Sequence, residues 1–495
     1  MLKWASFLFL ISACGFPRPA DVLDPHSCAN GICTDPAYPF CDEGGELSGT
    51  ANTCVAVACT PGDFATCRGD AELSCNSGGT TYDAVQCARG CDPTSGCRLC
   101  EPNQTVCANG KVQACDATGA VTSSEACALG CFEDQPRCRE IAPSNGLAPY
   151  MDMAASGPDL ALEDATLSVP SDVVTSPKGG RMTLHSITVA GPPNGVPIHV
   201  FPVRSLSLTG VITILSDGTG VIPAVAFAVY RDVRIDGTVA VTSNGFEPPG
   251  AITAGVCVGT TGIVDITGVG YFVGSGGGGG ANRGGNGGGQ YYSARPGGAA
   301  FLNPDLQPLQ GGCSGGAPAT FTPGFGGGAI QITSRSSIHL GVNSAIEANG
   351  IIGFAAMPVE LPGAESTPGG GGAGGGILLE APLVVLGSGA TLTANGGAGT
   401  SGDWNPASPT TGRTPSFGGN CTLASGCTRG GHGGSIENID TSAPSIVFNG
   451  EQQLYTGAGG GSVGYIRINT SSGVYTKAND AFESPIPSTG NIATR

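Results

Sequence analysis

Apolar and polar residues alternate in short runs over the C-terminal two thirds of the chain, and the runs recur. The sequence VRSLSLTGVITILSDG, residues 203–218, aligns without a gap on YRDVRIDGTVAVTSNG, residues 230–245. Alternation with a period of two is the spacing of a β-strand, so each copy predicts short strands. Looser copies occupy residues 330–350, 377–396 and 436–450, and a last copy begins at residues 465–468.

Each copy contains apolar triplets separated by residues that tolerate tight corners, and it ends at an Asn-Gly pair in most cases. Three short strands in about 20–27 residues are typical of one coil of a parallel β-helix. We therefore expect a mainly β protein whose glycine-rich body, residues 178–480, is a parallel β-helix. A β-sandwich would also give regularly spaced alternating strands and is the alternative. In the β-helix, the inward-facing residues of two coils would be Ile338, Leu340, Ile346, Val384, Leu386 and Leu392.

Blocks rich in glycine interrupt the predicted coils. We expect them either to form surface loops or to pack against one another as extended, polyproline II-like strands, because only glycine allows such a close backbone approach. A GxGxxG pattern in the first block neither follows a predicted strand nor opens a helix, which argues against a nucleotide site. The blocks are residues 274–289, 311–328, 369–376 and 418–434.

The first third of the chain is rich in cysteine, and the cysteine spacing repeats. CRGDAELSCNSGGTTYDAVQCARGC, beginning at Cys67, aligns without a gap on CANGKVQACDATGAVTSSEACALGC, beginning at Cys107. The spacing predicts a four-cysteine module over residues 28–58 and two six-cysteine repeats over residues 59–98 and 99–138. Each module has an even number of cysteines and could close on itself, although six cysteines allow fifteen connectivities. The predicted disulfide cysteines are Cys28, Cys33, Cys41, Cys54, Cys59, Cys67, Cys75, Cys87, Cys91, Cys97, Cys100, Cys107, Cys115, Cys127, Cys131 and Cys138.

Disulfides need an oxidising compartment, so the chain is expected outside the cytoplasm. In the glycine-rich body, Cys421 and Cys427 would staple one glycine block, and by elimination Cys257 would pair with Cys313. A metal site is the competing interpretation of the cysteine-rich region. No histidine lies within residues 28–138, however, and exported thiols would be oxidised before they met zinc. We therefore expect neither a metal nor a cofactor.

The N-terminus has the features of an exported protein. Residues 1–13 are expected to be a signal peptide, with Lys3 before an apolar run. The Ile-Ser-Ala-Cys that ends at Cys14 resembles the lipobox of bacterial lipoproteins, which implies that Cys14 carries a lipid and anchors the chain to a membrane. Gly15, rather than Asp, implies the outer membrane by the same resemblance. Setting Cys14 aside from the 21 cysteines leaves an even number that can pair completely.

Composition predicts the remaining boundaries. Residues 14–27 are expected to be a tether. Residues 139–177 contain several prolines and acidic residues without sustained periodicity, so we expect an extended, poorly ordered connector there. Residues 481–495 are expected to be a C-terminal tail.

Charge excludes one class of partner and suggests a candidate site. The net charge is −17 without a basic cluster, which argues against nucleic acid as a partner. Arg204 and Arg231 occupy equivalent positions of adjacent predicted coils and would stack, flanked by Asp232 and Asp236. Parallel β-helices that act as polysaccharide lyases or hydrolases use clustered Asp with Arg or Lys on an exposed face. A solvated row of charges is the alternative, and no HExxH, GxSxG or SxxK motif occurs. Asp217 and Asp265 are further candidate carboxylates.

The whole chain resembles large lipid-anchored surface proteins of Gram-negative bacteria, in which cysteine-rich repeats precede a glycine-rich β domain. The resemblance implies a non-catalytic structural or adhesive role at the cell surface. The implied partners are the membrane, through the lipid on Cys14, and an extracellular polysaccharide or another surface protein. The alternative function is that of a carbohydrate-active enzyme, a polysaccharide lyase or hydrolase.

Overall fold

The structure is a computed structural model, and its described part is mainly β. The chain divides into two compact units, Met1–Cys138 and Arg139–Arg495, here named the head and the body. The structure describes residues 27–495 except for 29–30, 46, 57–58, 80, 99, 118, 192–194, 219–221, 244–246, 266–270, 290–292, 318–322, 355–366, 403–406, 408–413, 422–426, 437–440 and 445–453. The predicted signal peptide, Cys14 and most of the predicted tether therefore lie outside the described residues.

Short antiparallel strands form the head. Its strands are β1 (Phe40–Asp42), β2 (Thr53–Val55), β3 (Phe64–Arg68), β4 (Ala71–Cys75), β5 (Tyr82–Gln86), β6 (Cys91–Asp92), β7 (Gly96–Cys97), β8 (Thr105–Ala108), β9 (Lys111–Cys115) and β10 (Val121–Ala126). The first six-cysteine repeat contains the three-stranded sheet β3–β4–β5, and the second contains the equivalent sheet β8–β9–β10.

Both six-cysteine repeats have the same disulfide connectivity, in which the first cysteine pairs with the third, the second with the fifth, and the fourth with the sixth. Modules of about forty residues bury little apolar surface, and each disulfide adds roughly 2–4 kcal/mol of stability. The sequence alignment predicted equivalent modules but left the connectivity open. The head's pairs are Cys28–Cys41, Cys33–Cys54, Cys59–Cys75, Cys67–Cys91, Cys87–Cys97, Cys100–Cys115, Cys107–Cys131 and Cys127–Cys138.

The body begins with a 3-10 turn (Ser144–Gly146) and the helix α1 (Ala148–Ala154), and it continues as strands. These strands are β11 (Asp159–Val169), β12 (Val173–Thr175), β13 (Arg181–Thr183), β14 (Ile187–Val189), β15 (Ile198–Val203), β16 (Ser205–Ser216), β17 (Ala224–Val229), β18 (Val233–Val241), β19 (Ile263–Asp265), β20 (Tyr271–Val273), β21 (Ala329–Ser334), β22 (Ser337–Leu340), β23 (Ala345–Glu347), β24 (Gly376–Glu380), β25 (Leu383–Leu386), β26 (Thr391–Thr393), β27 (Leu454–Tyr455), β28 (Tyr465–Thr470), β29 (Thr476–Lys477), β30 (Phe482–Ser484) and β31 (Ser488–Asn491).

Two long sheets of mainly parallel strands run through the body. The first sheet has the order β13-β12-β11-β16-β18-β22-β25-β29, and β23, β26 and β30 extend it beside β18. The second sheet has the order β14-β15-β17-β21-β24-β28-β31. The register follows the sequence repeats, because Leu206 lies opposite Val233 at the offset of the two best-aligned copies. Ile338 likewise lies opposite Val384.

Alternate residues of the two sheets form one continuous aliphatic core. Phe201 and Phe227 stack within it, with ring centroids 5.4 Å apart. The expectation that alternate residues point inward is confirmed for all six predicted positions, which are at most 2% exposed: Ile338, Leu340, Ile346, Val384, Leu386 and Leu392.

The glycine blocks form a second layer of the body, in which backbone packs directly on backbone. Residues 368–375 lie between six described segments, and each neighbour forms two hydrogen bonds at positions three residues apart. For example, Gly371 N–H donates to the Gly459 carbonyl (3.0 Å), and Gly374 N–H donates to the Ser462 carbonyl (2.8 Å). A three-residue period is that of a polyproline II helix, which has no internal hydrogen bonds. The six neighbours are residues 275–278, 313–316, 324–327, 348–351, 397–400 and 459–462.

Glycine is required in this layer because neighbouring backbones fill the space of a side chain. A Cβ atom on Gly372 would overlap the Phe325 carbonyl, and one on Gly374 would overlap the Ala394 carbonyl. Of the two expectations for the glycine blocks, packing as extended strands therefore describes this layer. The disulfide Cys257–Cys313 joins the layer segment 313–316 to Cys257, whose carbonyl accepts the Gly279 N–H. Cys421 and Cys427 form a disulfide as well, so both predicted pairings are those observed.

Two predicted boundaries are wrong. Residues 139–177 contain α1, β11 and β12 rather than an extended connector, because Leu160, Leu162 and Leu167 alternate inward and complete the core. Residues 481–495 contain β30 and β31, which pair with the two sheets rather than forming a tail.

The last residues also pair with the first residues of the body. Glu140 and Arg495 exchange two backbone hydrogen bonds of 2.9 and 3.0 Å, and Ala142 N–H donates to the Ala493 carbonyl (2.8 Å). The Arg495 guanidinium contacts the carboxylates of Glu140 and Asp152. We call this pairing of residues 140–142 with residues 493–495 the terminal clasp.

Candidate functional site

The predicted charged row lies at an exposed corner of the first sheet, and the side chains of Arg204, Asp232 and Asp236 have partners there. Arg231 N–H donates to the Arg204 carbonyl (2.8 Å), so the two arginines do occupy adjacent positions. The Arg204 side chain, however, pairs with Asp159, with its Nε 2.9 Å from Oδ1. Hydrogen bonding to Arg204 and Ser205 holds the Asp159 pKa well below its usual range, and Asp159 therefore neutralises Arg204.

The two candidate aspartates are engaged as well. Asp232 accepts hydrogen bonds from the hydroxyls of Ser336 and Ser337, both at 2.6 Å, and these bonds lower its pKa. Asp236 pairs with Arg234 on the same strand. A carboxylate with a lowered pKa, as Asp232 has, is a poor general acid. The structure therefore does not bring the carboxylates of Asp232 and Asp236 together as a catalytic pair beside Arg204 and Arg231.

The remaining predicted carboxylates do not join this row. Asp217 accepts a hydrogen bond from Ser171 N–H (3.0 Å). Asp265 ends β19, and its side chain lies outside the described part of the chain.

A different cluster combines a hydroxyl, an imidazole and a carboxylate. Thr188 of the edge strand β14 lies directly opposite His199 of β15, because the two strands pair antiparallel. Thr188 Oγ1 is 2.6 Å from His199 Nε2. On the other side of the ring, His199 Nδ1 is 3.4 Å from Asp172 Oδ1. We call Thr188, His199 and Asp172 the relay.

The turn before β12 positions the carboxylate of the relay. Asp172 has a φ of 57°, a left-handed conformation that Asp tolerates in turns. Its carbonyl accepts the Leu184 N–H (2.8 Å), and its Oδ2 accepts the hydroxyl of Ser186. With the ring proton of His199 on Nδ1, on the side of the Asp172 carboxylate, Nε2 accepts a hydrogen bond from the Thr188 hydroxyl.

His199 is buried while Thr188 is exposed. His199 is 5% exposed, and its ring lies 6.2 Å from that of Phe201 in an edge-to-face arrangement. Burial lowers the His199 pKa, and the Asp172 charge opposes that effect only in part. Neither His199 Nδ1 nor Asp172 Oδ1 has a hydrogen-bond partner in the described residues, so the 3.4 Å between them is an electrostatic contact and not a hydrogen bond. The lowered pKa keeps the imidazole neutral at neutral pH.

A cavity of about 320 Å³ lies beside Phe201, and none of the three relay residues is among its lining residues. Its walls are largely apolar and include Met153, Leu184, His185, Phe201 and Pro202. Leu184 and His185 directly precede Ser186 in the chain, and Phe201 is the ring that contacts His199. A small apolar group could occupy this cavity beside Phe201.

Two other buried carboxylates are saturated by hydrogen bonds. Glu380 accepts from Ser144, Gln331, Thr333 and Asn469, and these bonds fasten the 3-10 turn to the second sheet. Glu483 faces the inner side of β30, where it accepts hydrogen bonds from the Tyr475 hydroxyl (2.5 Å) and Lys477 Nζ (2.6 Å). Such fully paired groups stabilise the fold and leave no free acceptor for a substrate.

Among the described residues, two groups of Cys and Glu are close enough to hold a metal ion, and both lie in the head. They are Cys28, Cys33 and Cys41, and Glu72, Cys87 and Cys97. Every cysteine in these groups is part of a disulfide, and a disulfide offers no thiolate to a metal. These groups therefore do not define a metal centre.

The relay was not predicted from the sequence. Asp172, Thr188 and His199 are separated in the chain by stretches without a motif, and they meet only because β14 turns back along β15. The one available signal was a histidine in a short apolar run, IHVFPV, which leads into the predicted copy at residues 203–218.

A scan against protein-family models, a search of curated proteins and a search of solved structures each find no significant match to this chain. Among the described residues, no helix is both long enough and apolar enough to cross a membrane.

Proposed function

We propose that the chain is a lipid-anchored cell-envelope protein whose body is a parallel β-helix, displayed at the surface of a Gram-negative cell for a structural or adhesive role. One observation carries the proposal: ten disulfides account for all twenty cysteines other than Cys14. Complete pairing of this kind fits an oxidising compartment. Because every other cysteine is paired, none of them can form a disulfide with Cys14. A lipid attachment site requires such a free cysteine.

The β-helical part of the proposal is supported by the register of the two sheets. Successive copies of the sequence repeat lie side by side in parallel, with equivalent aliphatic residues stacked along one core. Stacked units of this kind are stable only together, which suits an extended object on a cell surface. The alternative of a polysaccharide lyase or hydrolase loses its support, because Arg204, Asp232 and Asp236 are paired on an exposed surface.

The proposal is tested by measuring whether Cys14 carries a lipid and in which membrane the chain is found. In a Gram-negative host, the full chain should incorporate labelled palmitate and should fractionate with the outer membrane. The Cys14→Ser variant should lose the label and leave the membrane fraction. Gly15→Asp is the matched control, which should keep the label but move to the inner membrane. A Cys14→Ser chain that still carries lipid, or a parent chain that carries none, would contradict the proposal.

A further inference from the structure

We propose that Thr188, His199 and Asp172 form an acyl-transfer centre that hydrolyses small carboxylic esters. This activity goes beyond the proposed display role and does not depend on lipid attachment. It rests on the distances within the relay, on the contrast in exposure between its members, and on a cavity beside Phe201, the ring that contacts His199.

The geometry is that of a nucleophile with an oriented base. A hydroxyl within about 2.6–3.2 Å of an imidazole nitrogen, with a third group behind the ring, is the arrangement that activates hydroxyl nucleophiles. Thr188 Oγ1 meets this distance at 2.6 Å from Nε2. Asp172 stands behind the ring at 3.4 Å from Nδ1, a length that catalytic contacts often have before substrate binds.

The surroundings separate the roles of the two hydroxyls near His199. Ser186 Oγ is 3.5 Å from Nε2, beyond normal hydrogen-bond reach for O–H donors, and it donates to Asp172. Ser186 therefore positions the carboxylate, and Thr188 is left as the nucleophile. Thr188 is exposed, so an ester can approach it from solvent, while His199 is buried and shielded from water.

The cavity indicates the substrate class. Its volume of about 320 Å³ and its apolar walls, which include Leu184 and Phe201, fit a short acyl chain or a small aromatic group. No positively charged residue lines it, so a neutral ester is favoured over a phosphate or sulfate ester.

The reaction balances with water as the only co-reactant. Thr188 Oγ1 transfers its proton to His199 Nε2 as it bonds to the ester carbonyl carbon. The alcohol then leaves with that proton, and the acyl group stays on Thr188. A water molecule next gives a proton to Nε2 and attacks the acyl carbon. The carboxylic acid is released, and the proton returns to Thr188.

The experiment uses the purified full chain with p-nitrophenyl butyrate as substrate and a fluorophosphonate as the trapping reagent. We expect turnover, and a single adduct on Thr188 formed by displacement of fluoride. Thr188→Val should abolish both, and His199→Gln should lower turnover by about 100-fold or more. Thr183→Val is the matched control, because it makes the same replacement at an exposed position of the neighbouring strand β13 and should leave turnover unchanged.

Each other outcome overturns a defined part of the proposal. Absence of both turnover and adduct in a parent chain with a cooperative thermal transition removes the activity. An adduct on Ser186 instead of Thr188 removes the nucleophile assignment. An adduct on Thr188 that forms at the same rate in His199→Gln removes the base. None of these results bears on whether Cys14 carries lipid.

Discussion

The two sheets and the glycine layer of the body differ in what fills the space between neighbouring backbones. In the sheets, side chains such as Ile346 and Leu392 fill the space between backbones that lie far apart. In the layer, residues such as Gly372 leave no space to fill, and carbonyl oxygens of neighbouring segments meet the Cα atoms directly. The sheets are therefore held by apolar burial, and the layer by backbone hydrogen bonds and disulfides. Within one body, side-chain packing therefore stabilises the sheets, and direct backbone contact stabilises the glycine layer.

The largest expected effect comes from the disulfide within the layer. Cys257 and Cys313 close a loop with a sequence separation of 56, whereas Cys421 and Cys427 are separated by 6. From loop entropy we expect the Cys257→Ser/Cys313→Ser variant to lose about 4 kcal/mol of unfolding free energy, and Cys421→Ser/Cys427→Ser about 2 kcal/mol. Urea denaturation of the full chain measures both. Equal losses would mean that loop length does not set the layer's stability.

The second prediction compares the stability lost when one carbon is added to the glycine layer with that lost when one carbon is removed from the sheet core. Gly372→Ala places a methyl group against the Phe325 carbonyl, so we expect a loss of about 3 kcal/mol or more. Ile346→Val removes one carbon from the sheet core and should cost about 1 kcal/mol. Gly180→Ala is the control, since a Cβ there meets only the distant Ser176 side chain and should change stability by less than about 0.5 kcal/mol. Thermal unfolding ranks the three variants, and a Gly372→Ala chain as stable as the parent would refute direct backbone packing.

The smallest expected effect is a pH dependence of the unfolding free energy, and it comes from the buried His199 of β15. Burial lowers the His199 pKa below its unfolded value, so the unfolded chain binds the proton more readily as pH falls. The stability linked to His199 is therefore present above about pH 6.5 and is lost below it, with a slope of at most about 1.4 kcal/mol per pH unit. Urea denaturation at several pH values should show a shallower acid loss in His199→Gln. The exposed His185→Gln should follow the parent, and identical curves for all three chains would contradict the assignment.

Local repetition made the sheets predictable. The aligned copies at residues 203–218 and 230–245 gave the register of β16 on β18, and alternation identified the inward side chains. The next copy, residues 330–350, was recognised only as a looser match, because a long insertion that carries much of the glycine layer separates Val233 from its partner Ile338. Its register on β18 therefore could not be aligned without a gap.

The errors have equally local causes. In residues 159–169, acidic residues and a register shift between Glu163 and Ala165 obscured an alternation that Leu160, Leu162 and Leu167 do possess. The charged row was placed correctly along the corner, but its partners Asp159 and Ser336 come from other strands. The relay forms because the edge strand β14 pairs antiparallel with β15, and no repeat or motif in the sequence predicts that pairing.

The terminal clasp has a mechanical consequence. A load that reaches the body through Arg139 meets, at the very next residue, backbone hydrogen bonds to Arg495 and a guanidinium held by Glu140 and Asp152. Tension is thereby passed directly to the segment that follows β31, instead of peeling β11 from the stack. Anchored in this way, the body would resist traction as a unit, and removal of residues 493–495 should make it yield from its first strand at a lower force.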